Sequence, residues 1–412
     1  MTHPHPAPAL TVVGLLSGTS YDAVDAAVCD LRLAGDELLL HPRGLHSAAF
    51  PDELRRAVAA CLPPAQTTVA EVCRLDTELG RFFGRVAAEA VDAAAGGRAD
   101  LVVSHGQTVY HWVEGRRPRG TLQLGNPAWI AEASGLPVVS DVRVRDIARG
   151  GQGAPLASTL DALLLLADEP GGAGGAGGAP RRGALNLGGI ANITVRGRSG
   201  EVVAYDLGPA NALIDAAVAD GTDGAETMDT DGARARRGTV DRELLRRLLD
   251  EPYYALAAPK STGKELFHGG YLRERVAAHA AATGRRPGLD DLVATVTELT
   301  ARLAAAACRE HGVGELVVSG GGVRNPALTA RLAELCAPAR VSRIEDHGLS
   351  SQGKEGYLFA LLGFLTVCGL PASVPSATGA HEPALLGSIT PGARPLRLPE
   401  PAAKAPVRLR VV

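Results

Sequence analysis

The chain has 412 residues, which exceeds one ordinary domain and predicts two. Apolar residues make up 46% of the sequence and charged residues 21%, as is typical of a soluble globular protein. The formal net charge of −3 leaves no basic excess, so the composition argues against a nucleic-acid partner. The six cysteines are scattered without a Cys-x-x-Cys pair, which favours reduced thiols over disulfides or a zinc site.

Neither the first residues nor the most apolar segment suggests a membrane. The opening MTHPHPAPAL has no Lys or Arg ahead of an apolar run, so it is not typical of a signal peptide. The longest apolar stretch, 357–372, is shorter than the ~20 residues of a membrane-spanning helix and ends in Gly-Leu-Pro. We therefore predict a buried helix there and a cytoplasmic protein.

The first half of the chain begins with a predicted β-hairpin. Its strands are TVVGLL and AVDAAVCDL, and the turn between them contains Gly18-Thr19-Ser20. Apolar residues at helical spacing then predict an amphipathic helix over 66–97. The segments DLVVSHG and LPVVSD predict short buried strands, and 156–168 predicts an apolar helix.

The second half repeats this beginning after a glycine-rich stretch, 170–178, that predicts a flexible connection. Two strands, ALNLGG and ITVRG, flank a glycine turn, and VVAYDLGP leads to a helix from Asn211. Helices are expected at 241–250 and 290–310, ELVVSGGG predicts a strand and a turn, and 393–412 has no regular period. The likeness of the two beginnings predicts two related α/β lobes facing a common cleft.

A dense charge cluster follows the predicted strand at 138–139. Asp141, Arg143, Arg145, Asp146 and Arg149 precede the glycine-rich loop 150–153. A salt-bridged surface loop is one interpretation. The glycines favour another, because they let the backbone approach a neighbouring group closely. A carboxylate at a strand end beside such a loop is typical of catalytic groups in α/β enzymes.

Three glycine turns are candidates for nucleotide contacts. The first hairpin turn offers amides and hydroxyls that suit phosphate, and NLGGIANIT adds a second turn with amide side chains. The late turn SGGGVRNP would let a planar adenosine lie against bare backbone. Each of the three is equally consistent with an ordinary turn.

Three further segments contain candidate polar residues. Asp206 ends a strand, where it could hold Mg²⁺ through water or cap the helix near Asn211. The segment 105–111 contains two histidines but no acidic partner at a suggestive spacing, so a substrate-lining loop is favoured over a metal site, with His105 in the core as the alternative. Lys260 and Lys264 flank Ser-Thr-Gly, where a functional and a merely solvated loop are equally consistent.

Taken in order, these motifs resemble the acetate and sugar kinase, actin and heat-shock ATPase superfamily. Within it, the chain resembles the anhydro-N-acetylmuramic acid kinases, through matching stretches that extend over 13–391. RDIARGGQGAPL and PSATGA are specific to this family, as distinct from the superfamily. Tyr110 and Gly356 depart from the residues that are common there, Arg and Ala.

The resemblance implies an α/β fold of actin-like, ribonuclease H-like type, with two lobes around an ATP and sugar cleft. We expect an N-terminal lobe over 1–169 joined by 377–412, a glycine-rich linker over 170–182, and a nucleotide-binding lobe over 183–376. The implied reaction converts ATP, water and 1,6-anhydro-N-acetylmuramic acid into N-acetylmuramic acid 6-phosphate and ADP in cell-wall recycling. The implied enzyme uses Mg²⁺ and is a homodimer.

The resemblance also implies roles for individual residues. Asp146 matches the catalytic base, and Asp206 and Asp22 would hold the metal. The implied nucleotide contacts are Ser17, Gly18, Thr19, Ser20, Asp22, Gly188, Gly189, Asn192, Gly320, Gly321 and Gly322. The implied sugar contacts are His105, Gln107, Thr108, Asn126, Arg143, Gly151, Gln152 and Glu355.

Two other functions remain open at this point. One is a kinase or phosphatase of the same superfamily that acts on a free hydroxyl without opening a ring. The other is a nucleotide-dependent binding or regulatory protein that has lost turnover. The presence of Asp22, Asp146 and Asp206 argues against the second, because a protein without turnover need not keep these carboxylates.

Overall fold

The chain divides into two units. In the computed structural model, the described residues are 9–18, 21–63, 65–115, 117–167, 180–197, 199–263 and 265–412. The first unit combines Met1–Ala167 with Gly353–Val412, and the second is Asp168–Gln352. The predicted linker stretch 170–178 lies outside the described residues, as do Thr19, Ser20 and Lys264.

The first unit opens with the predicted hairpin, followed by a long helix that begins and ends where the sequence suggests. Thr68 caps that helix by accepting a hydrogen bond from the Glu71 N–H at 3.2 Å, and Gly96 ends it in the left-handed conformation. The strands are β1 (Leu10–Ser17), β2 (Ala23–Ala34), β3 (Glu37–Ala49), β4 (Leu101–Ser104), β5 (Gln107–Glu114), β6 (Arg117–Leu124) and β7 (Val138–Ser140). The helices are α1 (Asp52–Cys61), α2 (Val69–Ala95), α3 (Pro127–Ser134), α4 (Val144–Ala148) and α5 (Ala157–Leu164).

The second unit has the same kind of beginning. Its hairpin is followed by a third strand, and its longest helix covers the predicted 290–310. The strands are β8 (Arg182–Leu187), β9 (Ile190–Arg196), β10 (Val202–Pro209), β11 (Glu315–Ser319) and β12 (Arg340–Arg343). The helices are α6 (Asn211–Gly221), α7 (Ala233–Arg237), α8 (Arg242–Leu249), α9 (Gly269–Thr283), α10 (Leu289–His311) and α11 (Pro326–Cys336).

The chain then returns to the first unit through a buried helix. This part comprises α12 (Lys354–Val367), α13 (Pro375–Thr378), β13 (Ser388–Thr390) and β14 (Arg408–Val411). The predicted buried helix is α12, and it contacts β1, β2 and β4. The boundary after the second unit therefore lies at Gln352, whereas the sequence analysis set it at 376, because α12 packs on the first sheet.

The last residues form a strand that the sequence did not predict. Although 393–412 has no regular period, β14 pairs in parallel with β3, with Leu409 opposite Leu38. Arg408 and Arg410 both contact the carboxylate of Glu37 beside this pairing. The tail thus closes one edge of the first sheet.

Five consecutive strands of the first sheet have the same order and directions as the five strands of the second, as expected for related lobes. The first sheet has the order β13-β7-β4-β1-β2-β3-β14, and the second has β10-β9-β8-β11-β12. In each, an antiparallel three-stranded meander is extended by two parallel strands on the other side of its first strand. The predicted α/β class with two related units is confirmed.

Candidate active site

Asp146 lies within α4, a five-residue helix in the run that the sequence analysis took for a loop. Its side chain is fully buried, and both carboxylate oxygens accept hydrogen bonds. Oδ2 accepts from the Gly153 N–H and Oδ1 from the Thr378 hydroxyl, each at 2.8 Å. Each oxygen can accept a second hydrogen bond, so the carboxylate is oriented but keeps acceptor capacity.

The glycine-rich loop 150–153 is wrapped around this carboxylate. A Cβ atom on Gly151 would overlap the Asp146 carboxylate, and one on Gly153 would lie 2.9 Å from Ile147. Gly150 has a φ of +85°, and a Cβ there would lie 2.8 Å from His381. The glycines therefore let the backbone approach a neighbouring group closely, as the sequence predicts, and the groups approached are Asp146 and its neighbours.

Arg143 is held between this loop and His105. Its Nε–H donates to Nε2 of His105 at 2.8 Å, and its Nη1 donates to the Gly153 carbonyl at 2.7 Å. Since Arg143 can only donate, Nε2 of His105 is the acceptor and the proton is on Nδ1, which lies 2.9 Å from the Gly106 carbonyl. Both His105 nitrogens are therefore used within the protein.

The charges around Arg143 favour its cationic form. Burial lowers the pKa of Arg143 to about 10, while the carboxylates of Glu355 and Asp146 oppose this shift. Desolvation by the surrounding protein likewise raises the pKa of Glu355, against the effect of Lys354 and Arg143, although the residue keeps an exposed surface. Burial and the positive Arg143 lower the pKa of His105 to about 3. The cluster thus combines a fixed cation, a neutral imidazole and two carboxyl groups.

Other predicted sugar contacts line the adjoining strands. The Ser17 hydroxyl donates to Oε1 of Gln107, which connects the end of β1 to the start of β5. Thr108 accepts a hydrogen bond from the Gln123 amide at 3.1 Å on the paired strand β6. The segment from Gln107 onward is thus a strand, whereas the sequence analysis took it for a loop.

Three further predicted residues are engaged by contacts within the first unit. The side-chain carbonyl of Asn126 caps α3 by accepting from the Ala128 N–H at 3.0 Å. The exposed Asp22 pairs with Arg55 at 3.4 Å, so binding a cation there would mean displacing this guanidinium. The Gln152 N–H donates to the Thr378 carbonyl at 2.8 Å.

In the second unit, polar residues stand in register on four neighbouring strands. Asn186 of β8 is paired with Ser319 of β11 on one side and with Asn192 of β9 on the other. Asn192 is in turn paired with Asp206 of β10. Residues opposite each other in a sheet share a face, so these side chains form one row beside the turns at 188–189 and 320–322. This juxtaposition was not read from the sequence.

Asp206 does not cap α6. That helix begins after Ala210, and Oδ2 of Asp206 instead accepts from the Thr262 N–H at 2.9 Å. Burial raises the pKa of Asp206 to about 6, despite this hydrogen bond and the nearby Lys260. The Lys260 ammonium lies over the rings of Tyr205 and Tyr253, so its loop packs against the strand that holds Asp206.

The second and third glycine turns pack on each other. A Cβ atom on Gly320 would lie 2.5 Å from Oδ1 of Asn186, and one on Gly322 would lie 2.7 Å from Leu187. Around Gly321 the nearest side-chain atoms would be 3.8 Å away. Of the three glycines, Gly321 thus has the space for a ligand against its backbone. At Gly188 and Gly189 the carbonyls accept the first amides of α6.

The described residues of the second unit offer few ligands for a metal ion. Within the described part of the chain, no group of three or more His, Cys, Asp or Glu side chains is placed to hold a metal. Mg²⁺ commonly keeps several waters and takes one or two protein carboxylates together with substrate phosphates. A single half-buried carboxylate at Asp206, beside two glycine turns, fits that mode of binding.

Comparison with known proteins first gives the class, a sugar kinase. The model of the family "Anhydro-N-acetylmuramic acid kinase" matches residues 10–392. A curated relative of that name from Streptomyces coelicolor is 57% identical, over 98% of this chain and 99% of its own length. Another from Rhodococcus erythropolis is 49% identical over the same shares. The chain belongs to the anhydro-N-acetylmuramic acid kinase family, which confirms the resemblance found in the sequence.

A solved ROK family glucokinase from Streptomyces griseus, in complex with glucose and AMPPNP, aligns with a TM-score of 0.31 and 14% identity. The alignment covers 85% of this chain and 98% of that one. Across the described residues, no helix combines the length and apolar character needed to cross a bilayer.

Proposed function

We propose that the protein is an ATP-dependent kinase that opens 1,6-anhydro-N-acetylmuramic acid while phosphorylating it at O6. Water attacks C1, the C1–O6 bond breaks, and O6 bonds to the γ-phosphorus as the bond from that phosphorus to ADP breaks. The proton of the attacking water passes to Asp146 and then to solvent. The products are ADP and N-acetylmuramic acid 6-phosphate, and the sugar phosphate is an intermediate of peptidoglycan recycling.

The observation that supports this proposal is the setting of Asp146. Its carboxylate lies in a motif specific to the family and is oriented by two donors, with acceptor capacity left for a water molecule. A general base must come within hydrogen-bond reach of the proton that it removes. Asp146 is fully buried, so the proposed reaction requires that the attacking water reach its carboxylate.

Arg143 would bind the sugar and stabilise charge. Its guanidinium stays cationic at neutral pH, because its pKa of about 10 lies well above 7. His105 fixes the orientation of that guanidinium without adding a charge of its own. A rigid cation is suited to a carboxylate or to developing negative charge. In this proposal His105 therefore acts through Arg143, while Gln107, Thr108, Asn126 and Glu355 remain candidate sugar contacts.

The second unit would bind ATP. The turns at 188–189 and 320–322 provide the close backbone approach for phosphates and adenosine, with Asn192 in the polar row beside them. Asp206 would hold Mg²⁺ through its waters, and the ion would neutralise charge on the transferring phosphoryl group. Asp22 and the turn at 17–20 are proposed to contact the phosphates of ATP or their metal ion. Catalysis of phosphoryl transfer then depends mainly on positioning.

Two broader properties also belong to this proposal. We expect a homodimer, on family likeness alone, and a cytoplasmic location, which accords with the absence of cysteine pairs in the sequence. Size-exclusion chromatography with light scattering tests the first. Elution as a monomer across a range of micromolar concentrations would contradict it.

A coupled ADP-release assay with purified protein tests the activity. The sugars are the 1,6-anhydro compound and, as a matched control, N-acetylmuramic acid with its ring bridge already open. We expect Mg²⁺-dependent ADP release with the anhydro sugar and a product whose mass equals that of the substrate plus a phosphoryl unit (HPO₃) and water. Turnover of the control sugar alone would favour a kinase that acts on a free hydroxyl without opening a ring. If neither sugar leads to ADP release, both functions are contradicted.

A further inference from the structure

Thr378 ends α13 in the C-terminal part of the first unit, far along the chain from Asp146. Its side chain is completely buried, and its hydroxyl donates to Oδ1 of Asp146 at 2.8 Å. Its carbonyl accepts from the Gln152 N–H at 2.8 Å. A single residue thus contacts both the carboxylate and the glycine-rich loop that surrounds it.

We propose that Thr378 is a positioning residue for the base, an inference that rests on the function proposed above. The Gly153 amide and the Thr378 hydroxyl hold opposite oxygens of the carboxylate, so together they fix its rotation about the Cβ–Cγ bond. That rotation decides where the remaining acceptor positions point. Without the hydroxyl, one oxygen is held and the direction towards the attacking water is no longer defined.

The residues after Thr378 hold the other end of the same loop. The His381 N–H donates to the Arg149 carbonyl at 2.9 Å. The Arg149 guanidinium donates to the Pro383 carbonyl at 2.6 Å and pairs with Glu382 at 2.9 Å. The segment 378–383 therefore fixes both ends of the loop as well as the carboxylate inside it.

A purely structural role for the hydroxyl is the alternative, and a second buried threonine of the first unit offers a matched comparison. The buried Thr159 donates to the carbonyl of Ala372 at 2.6 Å, which tethers the chain a few residues before Thr378. A Thr-to-Val change at either position removes a buried donor with little change in volume. Only at Thr378 is the acceptor of the lost hydrogen bond the proposed base.

The first test compares Thr378→Val, Thr378→Ser and Thr159→Val by steady-state kinetics and melting temperature. We expect Thr378→Val to lower kcat by about 10- to 100-fold with KM for ATP unchanged, since a misplacement of ~1 Å can cost about that much. Thr378→Ser should restore kcat to within about threefold of wild type, because the serine hydroxyl can donate to the same oxygen. Thr159→Val should lower the melting temperature and leave kcat unchanged.

The second test places Thr378→Val in an Asp146→Asn background. If Thr378 acts through the carboxylate, its substitution has little further effect there, because the two residues act as a unit. Equal losses in both backgrounds, or a Thr378→Val enzyme with wild-type kcat, would overturn the inference. Should Thr378→Val fail to fold, Thr378→Ala serves in both tests. A wild-type enzyme inactive on the anhydro sugar would instead reject the proposed function before any variant is compared.

Discussion

The guanidinium of Arg143 donates its Nε–H to a histidine, His105, at a distance of 2.8 Å. A cation beside a buried imidazole disfavours a second positive charge, so His105 stays neutral and accepts. The pair explains why a histidine in a candidate sugar site is neither a metal ligand nor an acid. It also leads to a dependence of stability on pH.

The free energy of unfolding should fall as the pH drops from about 6.5 towards about 3. The pKa of folded His105 is about 3, while an unfolded histidine has a pKa of ~6.5. Between these values the unfolded chain binds a proton that the folded chain does not. The free energy of unfolding therefore changes by up to ~1.4 kcal/mol per pH unit. Urea titrations at several pH values measure the free energy of unfolding of wild type, His105→Gln and the surface variant His46→Gln. His105→Gln should flatten the profile, and identical profiles for all three would contradict the pKa assigned to His105.

Asp146→Asn should abolish most turnover while the protein stays folded. The asparagine can accept from the Gly153 N–H and donate to the Thr378 oxygen, so the local hydrogen bonds survive without a base. Loss of a general base typically costs ~10²–10⁴-fold in rate. Single-turnover kinetics and nucleotide binding by calorimetry check this. Activity within about threefold of wild type would remove Asp146 from the mechanism.

Asp206→Asn should separate stability from activity. The amide keeps an acceptor for the Thr262 N–H but carries no charge. Burial raises the pKa of Asp206 to about 6, so the ionised carboxylate, which predominates above that pH, destabilises the folded protein. We expect a higher melting temperature at pH 8, a smaller gain at pH 5, and a larger Mg²⁺ requirement with lower turnover. The control is Asp220→Asn, on an exposed aspartate that pairs with Arg273. An unshifted Mg²⁺ titration would leave Asp206 without a role in binding the ion.

Gly14→Ala should destabilise the first unit. A Cβ atom at Gly14 would overlap the Gly356 carbonyl and lie 2.7 Å from the Ala360 nitrogen, so α12 would have to move off β1. Overpacking of this kind typically costs ~1–3 kcal/mol in the free energy of unfolding. Gly120→Ala is the matched control, because its nearest contact would be an ordinary 3.7 Å to Trp112. Equal stability of both variants would mean that α12 adjusts freely.

Local patterns in the sequence predicted much of this fold. The hairpins, α2, α10 and α12 follow from apolar periodicity and from caps such as Thr68 and Gly96, which act over a few residues. The helix α4 was missed because five residues are too few to show a period. The strand β14 was missed because its partner β3 lies far away in the sequence, with Leu409 opposite Leu38, and a local pattern does not report such a pairing.

The site was predicted as a set of motifs and not as a set of contacts. Asp146, Arg143 and His105 were all singled out, yet the neutral state of His105 depends on a guanidinium placed by another element. Thr378 lies in PSATGA, which the sequence marked as specific to the family, but its bond to Asp146 spans 232 residues. The polar row from Ser319 to Asp206 likewise needs the strand register, which motifs do not encode.

The most direct measurement of the central claim is the fate of the oxygen of water. The reaction is run in ¹⁸O-labelled water and quenched early, before exchange at the anomeric carbon, and the sugar phosphate is fragmented by mass spectrometry. Attack of water on C1 predicts one ¹⁸O at C1 and none in the phosphate group. A product without label at C1, or with label in the phosphate, would contradict hydrolytic ring opening coupled to phosphorylation.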